Sequence, residues 1–314
     1  MDLNELALTR CDELVDLAIE LRVVVTRSAD NTRIIDCGVH TEGGLEAGRV
    51  LAEVCLASLG RVHFAPPRSE VGPWPTVVVS TDQPVAACMA SQYAGWQITG
   101  EKFFAMGSGP MRAAAGNEEL FNAIGYRESP VSAVGVLETA KLPPDEVCRK
   151  IAADVGVEPH DLTLLAARTA SLAGSVQVVA RSVETALHKM HEIGFDLARV
   201  VSGFGLAPLP PVAVDDLTGI GRTNDAVLYG GEVTLWVRYE EEIVERLGPN
   251  IPSSASSDHG RPFGEIFESA GRDFYQIDPL LFSPAVVTLV NLETGRSRRF
   301  GELRPDVLQR SFDT

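Results

Sequence analysis

Arg181 and Glu184 are the residues whose types and spacing suggest acid–base chemistry. They lie three positions apart in the segment 175–190, whose helical apolar stripe consists of Val176, Val179, Val183 and Leu187. Gly174 and Ser175 predict a helix N-terminus on a tight turn before them. An exposed Arg–Glu pair usually contributes little to stability. Because apolar residues surround this pair, we expect it to be partly buried at a helix start, where the basicity of a carboxylate can be tuned.

The composition excludes several classes of protein. The chain has 314 residues, a formal net charge of −16 and 45% hydrophobic content, enough for one large or two medium domains. So acidic a chain argues against nucleic-acid binding through a basic face. No apolar run approaches the about 18 residues that cross a bilayer. The N-terminus also lacks the features of a secretory signal, so we expect a cytoplasmic protein with no membrane contact.

Neither the cysteines nor the histidines predict a metal site. The five cysteines are scattered and never form a CxxC, which is typical of buried thiols in a reducing compartment. His188, His191 and Glu192 lie close together, but their spacing is not HExxH and no further ligand cluster is evident. We therefore expect no metal, and we interpret these three residues as a solvated helix end.

Helix and strand patterns alternate along the chain and predict an α/β protein of mixed α+β type. Helices are expected at 3–21, at 45–59 with Gly60 as the terminator, and at 144–156, which has an opening Pro and a closing Gly. Strands are expected at 22–26 and 33–37 as a hairpin, at 61–64, 76–80 and 233–239, and at 285–292 and 298–303 as a second hairpin.

Two segments, 75–110 and 162–205, share the order strand, Thr-containing loop, helix, Gly–aromatic turn, strand and Gly-rich loop. This order suggests two related halves that face each other across a ligand cleft, although any two strand–helix–strand units look alike. We expect two side-by-side domains with the substrate cleft between them. Their ranges are 1–135 and 136–314, the second carrying the helix of Arg181 and Glu184, and segments can cross over between them.

Gly107, Ser108 and Gly109 form a Gly-rich loop after a predicted strand. Glycines let the backbone approach a ligand and turn its N–H groups inward, and Pro110 would start a helix aimed at the same place. The loop matches neither a Walker A sequence nor a dinucleotide fingerprint, and Ser108 lacks the GxSxG context of an esterase nucleophile. Phosphate binding and a plain structural turn both remain open.

The stretch 219–231 is polar and punctuated by glycines. Arg222, Thr223, Asn224 and Asp225 supply donors and acceptors in an unbroken run, which is typical of a binding loop. An Asx-turn that merely connects two elements is an equal alternative.

Taken together, the chain resembles methenyltetrahydromethanopterin cyclohydrolases over nearly its whole length. The residues that carry the match are Asp36–Val39, Gly43, Gly44, Glu46–Gly48, Ala94–Trp96, Phe104–Pro110, Thr169–Ser171, Gly174–Gln177, Ala180, Arg181, Val183–Thr185, Gly221–Asp225, Tyr229–Gly231 and Ile277–Pro279. The loops 66–75, 116–130 and 200–214 diverge.

The resemblance implies a two-domain α/β homotrimer that needs no cofactor, metal or prosthetic group. It implies reversible hydrolysis of the N5,N10-methenyl pterin cation to the N5-formyl pterin, with the family's catalytic Arg and Glu at Arg181 and Glu184. As substrate-binding candidates we take Gly107, Ser108, Gly109, Thr169, Ser175, Arg222, Thr223, Asn224 and Asp225.

The chemistry of the residues agrees with this reading. The methenyl carbon is already electrophilic, so it lacks only a positioned water and a base. Glu184 would deprotonate the water and attract the cation, while Arg181 would orient the water or bind the forming formyl oxygen. The alternatives are a non-catalytic pterin- or nucleotide-binding protein that uses the Gly-rich loops, and an assembly subunit.

Overall fold

The computed structural model describes residues 2–273 and 276–313. Within these ranges the strands form two six-stranded sheets combined with helices, so the predicted mixed α/β class is confirmed. The chain divides into two compact units, each built from two stretches. Unit 1 consists of Met1–Arg61 and Ala86–Gln177, and unit 2 of Val62–Val85 and Val178–Thr314. No helix of the described residues is long and apolar enough to cross a membrane.

In chain order the strands are β1 (Val24–Arg27), β2 (Arg33–Gly38), β3 (Gly60–Ala65), β4 (Thr76–Thr81), β5 (Trp96–Gly100), β6 (Phe103–Ser108), β7 (Ala133–Glu138), β8 (Leu162–Ala167), β9 (Val200–Pro208), β10 (Glu232–Val237), β11 (Val286–Asn291) and β12 (Ser297–Gly301). The α-helices are α1 (Leu3–Asp16), α2 (Leu45–Cys55), α3 (Met111–Ala115), α4 (Leu120–Ile124), α5 (Asp145–Val155), α6 (Leu172–Val179), α7 (Ser182–Glu192), α8 (Asp216–Gly230), α9 (Glu241–Leu247), α10 (Phe263–Ser269) and α11 (Pro305–Phe312).

The predicted domain boundary between 135 and 136 is wrong, because it falls inside strand β7 in the middle of the unit 1 sheet. The chain passes between the units within β3, within the π-helix Val85–Gln92 and within α6. These crossings lie inside regular elements, so no change of composition and no Pro- or Gly-rich linker marks them in the sequence.

The sheet of unit 1 has the order β1-β2-β8-β7-β6-β5. Strands β2, β8 and β7 are parallel neighbours, and the remaining pairs are antiparallel. Helices α1 and α2 bury the face that carries Val136 and Leu165. Helix α5 covers the opposite face, which carries Leu137 and Leu164. Burial on both faces explains why these parallel strands read as continuous apolar runs.

The sheet of unit 2 has the order β12-β11-β10-β9-β4-β3. Strands β10 and β11 are parallel, while β9 pairs antiparallel with both β10 and β4. Helix α7 packs on β9 and β10. Helix α8 packs on β9 and also contacts α10 and α11. The first turn of α7 is therefore supported by the central strands of this sheet.

Most short-range predictions are confirmed. The two hairpins β1–β2 and β11–β12 are antiparallel pairs, and α5 ends at Gly156 in the left-handed conformation. Two helix ends are wrong. Helix α1 stops at Asp16 rather than 21, and α2 stops at Cys55 rather than before Gly60. Ala57 and Ser58 take positive φ angles that end α2, and Gly60 instead begins a strand.

Candidate functional site

The predicted single helix 175–190 is two helices, α6 and α7. Arg181 occupies the N-cap position of α7, and Glu184 lies in the first turn of that helix. The predicted helix start at Ser175 is wrong, because α6 begins at Leu172 and Ser171 accepts the N–H of Gly174 at 3.0 Å. The break moves the helix start to the candidate pair itself.

Arg181 and Glu184 are both buried, with 8% and 3% of their surface exposed. This confirms the expectation from the apolar residues around them. A carboxylate in the first turn of a helix faces unsatisfied backbone N–H groups and the positive end of the helix dipole, which stabilise negative charge there. The arrangement therefore places the Glu184 carboxyl group in a low-dielectric setting, and the N-cap residue three positions earlier, Arg181, carries a guanidinium.

Two glycines of β9 allow the first turn of α7 to lie directly on the strand. A Cβ at Gly205 would be 2.3 Å from Ser182 Oγ, and a Cβ at Gly203 would be 2.6 Å from a methyl carbon of Val183. The predicted Gly-rich loop at Ser202–Gly205 is therefore wrong, because these residues are strand. Glycine inside a strand often marks the close approach of another backbone rather than a turn.

Lys189 holds the other end of α7, and sequence reasoning missed it. Its side chain is fully buried, and Nζ donates to the carbonyl oxygen of Leu280. Burial lowers the pKa of Lys189 to about 8, and the negative charge of Asp278 partly opposes this shift. The available signal was a lysine between Leu187 and Met190 on an otherwise apolar helix face.

The predicted Gly107–Gly109 loop is correct only in part, because Gly107 and Ser108 are the last residues of strand β6, and only Gly109 and Pro110 lie between β6 and α3. Gly109 has a φ of +86°, and its N–H donates to the carbonyl oxygen of Ser91 at 2.8 Å. Ser108 is fully buried, with Oγ 3.2 Å from Cys55 Sγ. These groups have partners inside unit 1, so the structure supports the turn; a substrate contact of Gly107, Ser108 or Gly109 stays a prediction.

Polar side chains gather at the carboxyl ends of the parallel strands of unit 1. Thr169, which follows β8, donates its hydroxyl to the Glu138 carboxylate at the end of β7. Asp36 on β2 accepts the N–H groups of the next turn, including that of Val39 at 2.7 Å. Ser175 donates its hydroxyl to the Thr169 carbonyl oxygen at 3.1 Å. Ligands of open α/β sheets bind at such an edge.

Glu138 was not among the predicted residues. Its sequence signal is a single carboxylate at the end of the apolar run Ala133–Glu138. Strands β7 and β8 are parallel neighbours and end at the same edge of the sheet. Glu138 therefore contacts Thr169, which is 31 positions away in sequence.

The predicted binding loop of Arg222–Asp225 is wrong as secondary structure, because these residues lie within α8. Their side chains hold backbone oxygens or N–H groups of unit 2. Thr223 donates to Gly219 O at 2.8 Å, Asn224 to Ile220 O at 2.8 Å, Arg222 to Pro211 O at 3.1 Å, and Asp225 accepts from Phe263 N at 2.8 Å. Their substrate roles stay predictions; of the four, Arg222 and Asn224 retain exposed surface.

Asp225 is fully buried and supports the start of helix α10 by accepting the N–H of Phe263. Burial raises the pKa of Asp225 to about 7, opposed by hydrogen bonds from Ser311 and from the backbone of Phe263. The position and partners indicate a structural role in joining α8 to α10.

Residues 2–312 match the model of the family described as Cyclohydrolase (MCH). The chain belongs to this cyclohydrolase family. A protein named methenyltetrahydromethanopterin cyclohydrolase from Methylobacillus flagellatus is 49% identical over 98% of the chain and 94% of its own length. One of the same name from Xanthobacter autotrophicus is 49% identical over 96% and 89%. Another, from Methanospirillum hungatei, is 42% identical over 99% of both chains. The resemblance seen in the sequence motifs is confirmed.

Proposed function

We propose that the protein catalyses the reversible hydrolysis of N5,N10-methenyltetrahydromethanopterin to N5-formyltetrahydromethanopterin. The observation that carries this proposal is the cyclohydrolase family match over residues 2–312, which spans both units. The burial of Arg181 and Glu184 in one helix start supports the assignment of the chemistry to that turn.

Glu184 is the proposed general base. A water oxygen attacks the methenyl carbon, and the carboxylate takes the water proton as the new C–O bond forms. The new hydroxyl group then loses its proton and becomes the formyl carbonyl as the bond between that carbon and N10 breaks. N10 keeps the electron pair and takes up a proton, and the formyl group remains on N5. One water is consumed and one proton is released for each cation hydrolysed, so the reaction needs no further reactant.

Arg181 is the proposed partner of this base. Its guanidinium is planar, permanently charged and rich in donors, which suits it to orient the attacking water or to hold the forming formyl oxygen. Arg181 is the N-cap residue of α7, so its backbone directly precedes the helical turn that carries Glu184.

The remaining parts of the proposal rest on the family resemblance. They are assembly as a homotrimer, location in the cytoplasm, activity without cofactor or metal, and substrate contacts from the Gly107–Gly109 loop, Thr169 and Ser175. The grouping of Thr169 with Glu138 and Ser175 at one sheet edge supports a ligand there.

The test is to mix purified protein with methenyltetrahydromethanopterin and follow the ultraviolet absorbance of the methenyl chromophore. We expect loss of the chromophore well above the buffer rate, and a fall in turnover of roughly 10²–10⁴-fold in Glu184→Gln. Glu192→Gln is the matched control, because Glu192 lies exposed at the far end of the same helix. Wild-type turnover in Glu184→Gln would overturn the base assignment, and tight binding without hydrolysis by the wild type would indicate a carrier.

A further inference from the structure

One face of the antiparallel half of the unit 1 sheet carries a large exposed aromatic side chain. Along β6 the side chains alternate, so Phe103 and Ala105 are buried with Leu137 on the side of α5. Phe104 points to the opposite face and is 56% exposed. A single exposed apolar side chain is common on a protein surface, so the case for a ligand depends on what lies beside Phe104 on this face.

The neighbours of Phe104 on that face are suited to a flat ligand. Met106 lies on the same strand, is half-buried, and pairs with the exposed Gln97 of the neighbouring strand β5. Phe104 itself pairs with the exposed Thr99. The strand is held in place at this point because Thr139 donates its hydroxyl to the carbonyl oxygen of Phe104 at 2.8 Å. The Phe104 ring and the polarisable thioether of Met106 together form an apolar strip.

The strip leads to a carboxylate. Met106 pairs across the strands with Glu138, so both side chains leave the same face of the sheet. From strand spacing and rise, the Cβ atoms of Phe104 and Glu138 lie about 8 Å apart, close to the length of a fused bicyclic ring. The aromatic face and the carboxylate both favour positive charge.

We propose that Phe104 and Met106 form a stacking platform for the conjugated, positively charged ring system of the substrate, with Glu138 supplying the complementary charge. This inference rests on the proposed function and names binding residues for it. The platform favours the methenyl cation over the neutral formyl product, because a cation gains from the aromatic face and from the carboxylate while a neutral pterin gains only the stacking.

The test measures binding separately from turnover. In a Glu184→Gln background, equilibrium dialysis gives the Kd for the methenyl cation and for the formyl product, with and without Phe104→Leu. We expect Phe104→Leu to raise the Kd for the cation by roughly three- to tenfold. The fold increase in the Kd for the product should be less than half of that for the cation. Phe104→Tyr, which keeps the ring, should restore cation binding. Ile19→Ala, which removes a 91% exposed side chain elsewhere in unit 1, is the control for general loss of surface apolarity.

The outcomes separate this inference from the proposed function. A wild-type protein that hydrolyses the cation, together with unchanged Kd values in Phe104→Leu, overturns the platform alone. Equal weakening for cation and product overturns the charge preference that the platform requires. A wild type that neither binds nor hydrolyses the cation overturns both.

Discussion

Two polar runs of unit 2 look alike in sequence and differ in structure. Arg181 and Glu184 lie at the start of α7, where the intervening Ser182 and Val183 pack against the glycines of β9. Arg222–Asp225 lie in the middle of α8, where Thr223 and Asn224 donate to carbonyl oxygens one turn earlier in the same helix. Both runs combine charged and amide or hydroxyl side chains, so composition alone gives no reason to prefer one as a site.

The difference shows how position in a helix decides what a polar side chain does. In a helix interior a short polar side chain meets the carbonyl oxygens of the preceding turn and bonds locally. At a helix start the backbone presents unsatisfied N–H groups and positive potential, which favour an anionic group or a reaction that develops negative charge. The α7 start is therefore the stronger candidate for chemistry, and the α8 run the stronger candidate for structure.

Among the further variants that test this comparison, the largest effect on turnover is expected from Arg181→Ala. Loss of the guanidinium should reduce turnover of the methenyl cation by about 10²-fold or more, because one preorganised charged donor at developing charge is worth that much. Arg181→Lys keeps the charge but not the planar fork, so we expect its turnover to lie between those of the alanine variant and the wild type. The measurement is kcat and KM by loss of the methenyl absorbance.

A rise in KM for Arg181→Ala with unchanged kcat would contradict this role and indicate binding alone. Full activity of Arg181→Ala would show that the start of α7 is no better a candidate for the chemistry than the polar run of α8.

The next effect, on stability and not on turnover, is expected from Asp225→Asn. The pKa of Asp225 is raised from 3.8 to about 7, so the folded protein holds this proton while the unfolded chain has released it. The contribution of Asp225 to stability therefore falls as pH rises from about 4 to about 7, and the loss is complete above that range. The asparagine variant lacks this dependence, so relative to wild type it should gain stability between pH 5 and pH 8, by at most about 4 kcal/mol.

Urea unfolding at several pH values measures this gain, since the midpoint difference between variant and wild type should grow with pH. Parallel pH profiles would show that Asp225 is ionised in the folded state throughout. A large rise in the KM of Asp225→Asn would instead indicate that Asp225 contacts the substrate, which its full burial argues against.

The sequence predicts those elements whose signals are local. Pro144 and Gly156 bracket α5, and Gly295 with a φ of +71° lies in the turn of the last hairpin. Proline fixes its own φ angle, and glycine readily adopts the positive φ angles that helix ends and tight turns require, so both signals act locally. The pair Arg181 and Glu184 and its burial also follow from local spacing within an apolar stripe.

What the sequence did not predict depends on contacts between distant segments. Strand β4 pairs with β9 although Val78 and Leu206 are far apart in the chain, so the unit boundaries follow pairing and not linkers. The break between α6 and α7 falls at Ala180 and Arg181, without Pro or Gly to mark it. Glu138 meets Thr169 only because β7 and β8 are parallel neighbours.

The smallest effect is expected from Thr223→Val. The Thr223 hydroxyl donates to Gly219 O within α8, and valine replaces it with a methyl group of similar size in a fully enclosed position. Such a bond adds little to a helix that already satisfies its own backbone, so we expect a stability change below about 1 kcal/mol and a KM within about twofold of wild type. Thermal unfolding and steady-state kinetics check both values. A KM raised several-fold without loss of stability would show that the hydroxyl reaches the substrate, and the helix-interior run would then share the function that we assign to the helix start.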